Sequence, residues 1–274
     1  MALNRQSANI SGMELTILAS GSKGNSAYLN GESGALLIDA GLSARELLRR
    51  LGRAGGDEKR IEAILLTHEH SDHLRGADVL ARKLGVPVIA TEGTLAAFFN
   101  KFGDRGCVKA ERCVTGESFS LGDFTIEPFA ISHDAREPCG YCIGEQDLRI
   151  GCCTDTGIVT DGMMERLAAC DAVLLESNHC PEMLENGPYP VYLKQRIRSK
   201  RGHLSNSAAS LCLRTMAGRV DSVLLAHLSE VNNTHEKALS TALNGLGLYA
   251  DRMQISVAPQ HPWDDNPAGC GLRL

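Results

Sequence analysis

The stretch LLTHEHSDH, Leu65 to His73, decides how this chain is read. It closes the apolar run IEAILLT (61–67), short and bounded as a buried strand is, and packs His68, His70, Asp72 and His73 into six positions. Histidines two apart on an extended segment converge on one ion, while Asp72 and His73, on the turn into a helix, face a second. Imidazole and carboxylate ligands without thiolate suit zinc, manganese or iron. Burying so many polar groups without a partner costs several kcal/mol, so a purely structural role explains this density poorly.

One segment does not complete a two-ion site, and further ligands are expected at other strand ends. His133 stands in ISHDA after FTIEPFA, Asp155 in CCTDTG after LRIG, where a carboxylate can bridge two ions, and His227 ends SVLLAH. Each alone is as readily a hydrogen-bonded loop residue; together with the HxHxDH run they are candidate ligands. The patterning predicts strands at 14–20, 26–30, 34–40, 61–67, 86–90, 124–131, 147–155, 171–176, 221–227 and 253–258. Helices are predicted after Ser43, where Glu46 completes a capping box, and over 72–84, 205–217 and 234–245. Many strands with interspersed helices, and polar residues at strand carboxyl ends, point to an α/β protein built as a four-layer αββα sandwich; a three-layer α/β fold is the alternative. Residues 1–12 read as a loose leader, 13–263 as one domain and 264–274 as a tail.

A net charge of −5 excludes a generally basic nucleic-acid coat, so any such contact needs a local patch. The ten cysteines form no repeating framework. The one CxxC, CGYC at Cys139 and Cys142, reads as two semi-buried thiols rather than a redox or zinc motif. With no signal peptide and no apolar run near the eighteen or so residues that span a bilayer, the expectation is a cytoplasmic protein with reduced thiols and no membrane partner.

HxHxDH followed by His, Asp and His at strand ends resembles the metallo-β-lactamase superfamily, from Asp39 in LLIDAG to His227. The resemblance implies two divalent metal ions (zinc, manganese or iron) at the edge of an αββα sandwich. It puts His68, His70 and His133 on one ion, Asp72, His73 and His227 on the other, and Asp155 between them. Asp39 would orient the HxHxDH loop from behind, a bare structural role being the alternative. The superfamily hosts several chemistries. SKRGHLSN and LAHLSEVNN resemble its nuclease branch, as in ribonuclease J-like enzymes, with LLESNH and its Glu176 as the acidic motif before them. The 24 positions from His179 to His203 leave no room for the inserted domain of those relatives.

Together with ASGSKGNS, HDAREPCGY and GPYPVYLKQRIRSKRGHLSN, these motifs are most similar to the compact WalJ/YycJ-type family. That resemblance implies a bacterial phosphodiesterase acting 5′→3′ on DNA, with metal-activated water as the nucleophile, and a link to mismatch repair. Asp72 and His203 would carry the chemistry, His203 by contacting the scissile phosphate or protonating the leaving oxygen. The basic run beside it, Lys194, Arg196, Arg198, Lys200 and Arg201, would track the phosphate backbone, with Asn206 just beyond; a solvated helix face is the plain alternative. Lys23 in SGSKGNS would hold a 5′-phosphate, although the same residues make a polar hairpin turn. Few aromatic residues are present for base stacking; Tyr141 and Tyr189 are the exceptions unless both are packed. The rival readings are a hydrolase of a small thioester, lactam or cyclic phosphodiester, and a non-catalytic regulatory protein whose metals only hold its fold.

Overall fold

ALLI, AVLLE and SVLLA are buried at every position, the mark of strands covered on both faces. They are β3 (Ala35–Ile38), β11 (Ala172–Glu176) and β12 (Ser222–Ala226) in a computed structural model that describes residues 12–103, 106, 108–259 and 270–274. Around β3 lie β1 (Glu14–Ala19), β2 (Ser26–Asn30), β4 (Ile61–Leu65), β5 (Val88–Ala90), β6 (Ala110–Arg112) and, last in the chain, β14 (Cys270–Arg273). They form a seven-stranded sheet in the order β14-β1-β2-β3-β4-β5-β6. The second sheet adds β7 (Phe119–Leu121), β8 (Phe124–Ala130), β9 (Cys139–Glu145), β10 (Leu148–Cys153) and β13 (Gln254–Val257), in the order β13-β12-β11-β10-β9-β8-β7. Strands β3 to β6 run parallel, as do β10 to β13, so their carboxyl ends gather along one side of each sheet.

Period-two patterning sorts the side chains into three apolar layers. Leu36 and Ile38 of β3 meet Tyr141, Leu174 and Leu224 between the sheets. Ala35 and Leu37 face outward against Leu47 and Leu51 of α1 (Ala44–Arg53), Leu80 of α3 (Ala77–Leu84) and Phe98 of α4 (Glu92–Phe102). On the other side Val223 and Leu225 pack on Leu167 of α5 (Asp161–Leu167), Leu213 of α8 (Asn206–Met216) and Leu246 of α9 (His235–Leu246). Two sheets between two helical layers make the αββα sandwich. No helix among the described residues is long and apolar enough to cross a membrane.

Several expectations need correction. The helix anticipated over 72–84 is two, α2 (Ser71–Leu74) and α3, parted at Gly76, where a Cβ would stand 2.2 Å from the Leu42 carbonyl oxygen. Ser43 does cap α1, but Glu46 turns to Arg49 and Arg50. CGYC is the start of β9, with Cys139 in the inter-sheet core and Cys142 in the outer one; three residues apart on a strand they point to opposite faces and share no ligand. Cys270–Arg273, assigned to a tail, pairs antiparallel with β1 and buries Leu272. The leader, apart from Gly12, and residues 260–269 lie outside the described residues.

Candidate metal centre

β4 hands the chain to Thr67 and His68 at its carboxyl end. Thr67 donates its N–H to Asp39 Oδ1 (2.8 Å) and its hydroxyl to Asp39 Oδ2 (2.9 Å), and His73 Nδ1 meets the same Oδ2 at 2.8 Å. Asp39, nearly buried, therefore grips both ends of the HxHxDH loop. Asn25 fastens the loop from the side: its N–H donates to the Asp72 carbonyl (2.7 Å) and its own carbonyl accepts from Gly41 (2.9 Å). A Cβ on Gly41 would lie 1.7 Å from that Asp72 oxygen, so only glycine fits.

The loop brings two sets of ligand atoms together. His70 Nδ1 lies 3.1 Å from His68 Nε2 and 3.2 Å from His133 Nε2. Asp72, His73 and His227 make the second set, and within each set the ligand atoms lie no more than 4.8 Å apart. Asp155 stands between them, with Oδ2 3.3 Å from His73 Nε2 and Oδ1 3.9 Å from His133 Nε2. Asp39, Asp155 and His227 each follow a strand end and each take φ near +57° (59°, 56° and 56°). Left-handed backbone at non-glycine residues costs on the order of 1–3 kcal/mol apiece, and it concentrates here at the residues that aim into the site.

The hydrogen-bond network tests whether these residues suit metal ions. His73 Nδ1 donates to Asp39, His133 Nδ1 to the Gly202 carbonyl (3.1 Å), His227 Nδ1 to Glu176 Oε1 (2.9 Å) and His68 Nδ1 to the Thr67 hydroxyl (2.9 Å). Protons fixed on Nδ1 leave four Nε2 lone pairs turned inward. His227 Nε2 and Asp155 Oδ2 are buried with no hydrogen-bond partner. Burial, aided by the neighbouring His73, pushes His68 well below the usual histidine range, so its lone pair stays available. Nitrogen lone pairs converging at about 3 Å beside unpartnered carboxylate oxygen form a cation cage. The residues fit divalent ions.

Glu176 closes the site from below. Fully buried, it accepts from His203 Nδ1 (2.8 Å) and His227 Nδ1 through Oε1, and from the N–H groups of Thr156 (2.8 Å) and Leu204 (3.1 Å) through Oε2. Burial works against its charge, but His203 outweighs that and holds the carboxyl at about 2. In return burial lowers His203, but the charge and hydrogen bond of Glu176 together with Asp155 and Asp134 raise it by more, leaving it at about 9 with Nε2 toward the cavity. That cavity holds about 340 Å³, and its wall includes Asp72, His133, Asp155, Arg196 and His203.

The residues expected to bind substrate fare unequally. Most of the basic run belongs to α7 (Val191–Arg198), and Arg196 alone of the five lines the cavity, paired with Asp134 at 2.6 Å. Lys194 donates to the Glu185 carbonyl (2.6 Å) and Arg198 pairs with the Glu185 carboxylate, while Lys200 is exposed. Arg201 is turned back onto the protein, donating to the carbonyls of His133 (3.0 Å) and Ala135 (3.3 Å). Asn206 is buried in a reciprocal amide pair with Asn233 and accepts from the Ser177 hydroxyl, so it stabilises the floor and does not reach substrate. Lys23 pairs with Glu230 at 2.8 Å, and SGSKGNS spends the N–H groups of Gly21, Gly24 and Asn25 on its own turn and on Asp72. The loop's contribution is Asn25, which together with Thr67 and Asn233 escaped the sequence reading. Neutral polar side chains carry no spacing signal, and their partners lie far along the chain.

The beta-lactamase superfamily domain model matches residues 35–228. The chain is 41% identical over 238 residues to exodeoxyribonuclease WalJ of Streptococcus pneumoniae serotype 2, covering 86% of this chain and 88% of that one. It is 38% identical over 228 residues to exodeoxyribonuclease YycJ of Bacillus anthracis, covering 83% and 86%. The fold superposes on the metallo-beta-lactamase fold protein YhfI from Bacillus subtilis with a TM-score of 0.73 at 15% identity, over 96% of this chain and 100% of that one. The chain belongs to the metallo-β-lactamase superfamily and, within it, to the family of these WalJ and YycJ relatives.

Proposed function

We propose that this protein is a metal-dependent DNA exonuclease that removes nucleotides from a 5′ end, works in the cytoplasm and serves mismatch repair. One observation carries the catalytic reading: two ligand sets meet across Asp155 beneath a cavity into which a cationic histidine also points. The relatives named exodeoxyribonuclease support DNA as substrate. The nine described cysteines are free thiols, which suits a reducing compartment.

His68, His70 and His133 would hold one ion, Asp72, His73 and His227 the second, with Asp155 shared; zinc, manganese and iron all suit nitrogen and oxygen ligands. Bound there, a pair of divalent ions supplies Lewis acidity to the phosphate oxygens and lowers the pKa of water. The chain's own groups do the rest. His203, kept protonated by Glu176, presents its Nε2 proton to the leaving oxygen as the bond to phosphorus breaks. Arg196 adds positive charge to the cavity wall, held in place by Asp134. Asp39, Asn25 and Arg201 keep the ligand loops in position.

The test is degradation of linear DNA bearing a 5′-phosphate at one end, with manganese or zinc, beside single-stranded DNA and RNA and an Asp72→Ala control. Stepwise loss from the phosphorylated end that disappears in the variant is the expected result. No cleavage of any polymer, with turnover of a small phosphodiester or thioester instead, would reject the nuclease.

A further inference from the structure

α7 has no buried residue, and Leu193 and Ile197, its half-buried apolar positions, join none of the three hydrophobic layers. Leu193 and Ile197, four apart, share one helical face, and Tyr189 stands just before the extended N-cap Pro190. All three line the cavity over the metal ligands. An apolar stripe that packs on no core, opposite a floor of histidines and carboxylates, is organised for a ligand that is polar at one end and flat and apolar at the other. Arg196, on the same wall, is positive where such a ligand is anionic.

We propose that Tyr189, Leu193 and Ile197 form a nucleoside subsite that takes the terminal base of the DNA strand while its phosphate lies over the metal ligands. This rests on the nuclease reading above and specifies how that site selects substrate. The aromatic face of Tyr189 stacks on the base without reading its identity, as sequence-tolerant binding of single strands requires. Leu193 and Ile197 cover the sugar edge. A cavity of about 340 Å³ is within the range of small-ligand sites, the scale of one nucleotide. A terminal nucleotide that leaves its stack fills the subsite.

The experiment compares the metal-loaded wild type, Tyr189→Ala and Tyr189→Phe on two DNA strands with single-stranded 5′ ends. One carries a normal terminal nucleotide, the other a stable abasic (tetrahydrofuran) residue there. The wild type should cut the normal end about 10-fold faster than the abasic end, the scale of one base–aromatic stack. Tyr189→Ala should cut both ends at the slow rate, and Tyr189→Phe, which keeps the ring, should retain the preference. A preference undiminished in Tyr189→Ala, or an equal loss on both ends, would overturn the subsite while leaving the nuclease intact. A wild type that degrades neither strand would instead reject the nuclease reading.

Discussion

Glu176 is one carboxylate serving two imidazoles, and its charge sets what His203 can do. Burial works to lower His203, but Glu176, with Asp155 and Asp134, raises it to about 9 from 6.5. For a histidine raised in the folded state, the linked stability is fully present below the unfolded value and is lost as pH rises through the folded one. In chelator-stripped protein, His203 should therefore contribute a decline in unfolding free energy between about pH 6.5 and 9, of at most about 3 kcal/mol. His203→Gln should reduce the slope there by up to one proton, leaving the share of His73 and His227, whose burial is likewise outweighed by carboxylate neighbours that raise them. Glu176→Gln should move the alkaline limit of activity from about 9 toward the ordinary histidine value, which a pH–rate profile reads directly. A limit unmoved in that variant would show that another group supplies the proton. The opposite case is His179, which burial lowers to about 4. It resists protonation when folded, so its linked stability is lost as pH falls from about 6.5 toward 4, and His179→Gln should flatten the acid side of the stability curve by up to one proton. At this scale the sequence was most legible for the histidines and carboxylates, whose types and spacing state their chemistry. Asn25 and Thr67 were hidden because an amide or hydroxyl looks the same in a turn, a cap or a metal site.

The elements around the site act as clasps. Loop 199–203 and loop 132–135 are joined by the Ser132 hydroxyl on the Lys200 carbonyl (2.7 Å), His133 Nδ1 on Gly202, and Arg201 on two carbonyls. Gly202 has no room for a Cβ, which would fall 2.2 Å from the Arg196 and Ile197 carbonyls. Arg201→Ala should weaken metal affinity by about 10–100-fold, the usual effect of removing a group that orients a ligand. Its DNA binding should keep the wild-type salt dependence, because Arg201 touches backbone carbonyls. Calorimetric metal titration and a salt series decide this; a salt slope reduced by about one with unchanged metal affinity would return Arg201 to the phosphate track. The basic run misled because charge density is read from sequence, whereas direction depends on the helical turn. Successive α7 positions point about 100° apart, so Arg196 reaches the cavity and Arg198 reaches Glu185. β9 was missed for a related reason: CGYC drew attention as a thiol motif while its residues were alternating between two cores.

Across the whole molecule, the sandwich puts rigid strands behind every strained residue of the site. Tyr141, fully buried between the sheets, donates to the Leu66 carbonyl at 2.7 Å and so ties β9 to the segment that delivers His68. β14 closes the far edge of the first sheet, beyond β1 and β2 from the strand ends that carry the candidate ligands. Leu272→Ala should cost about 2–5 kcal/mol of stability, as large-to-small core changes do, and leave metal content unchanged, measured by denaturant unfolding and elemental analysis. Layering was legible from the many short strands and their polar carboxyl ends, but β14 was not, because four residues carry too little pattern. On the reading proposed above, Asp155 and the two histidine-rich sets around it would hold a pair of divalent ions that DNA cleavage requires. The most direct test is to titrate manganese or zinc into chelator-stripped protein, reading bound ions per chain and loss of 5′-phosphorylated linear DNA in the same samples. Activity should rise with binding and saturate at two ions, and Asp155→Ala should abolish both the second equivalent and the DNA loss. Full DNA degradation by the stripped protein, or by Asp155→Ala at wild-type rate, would contradict that reading.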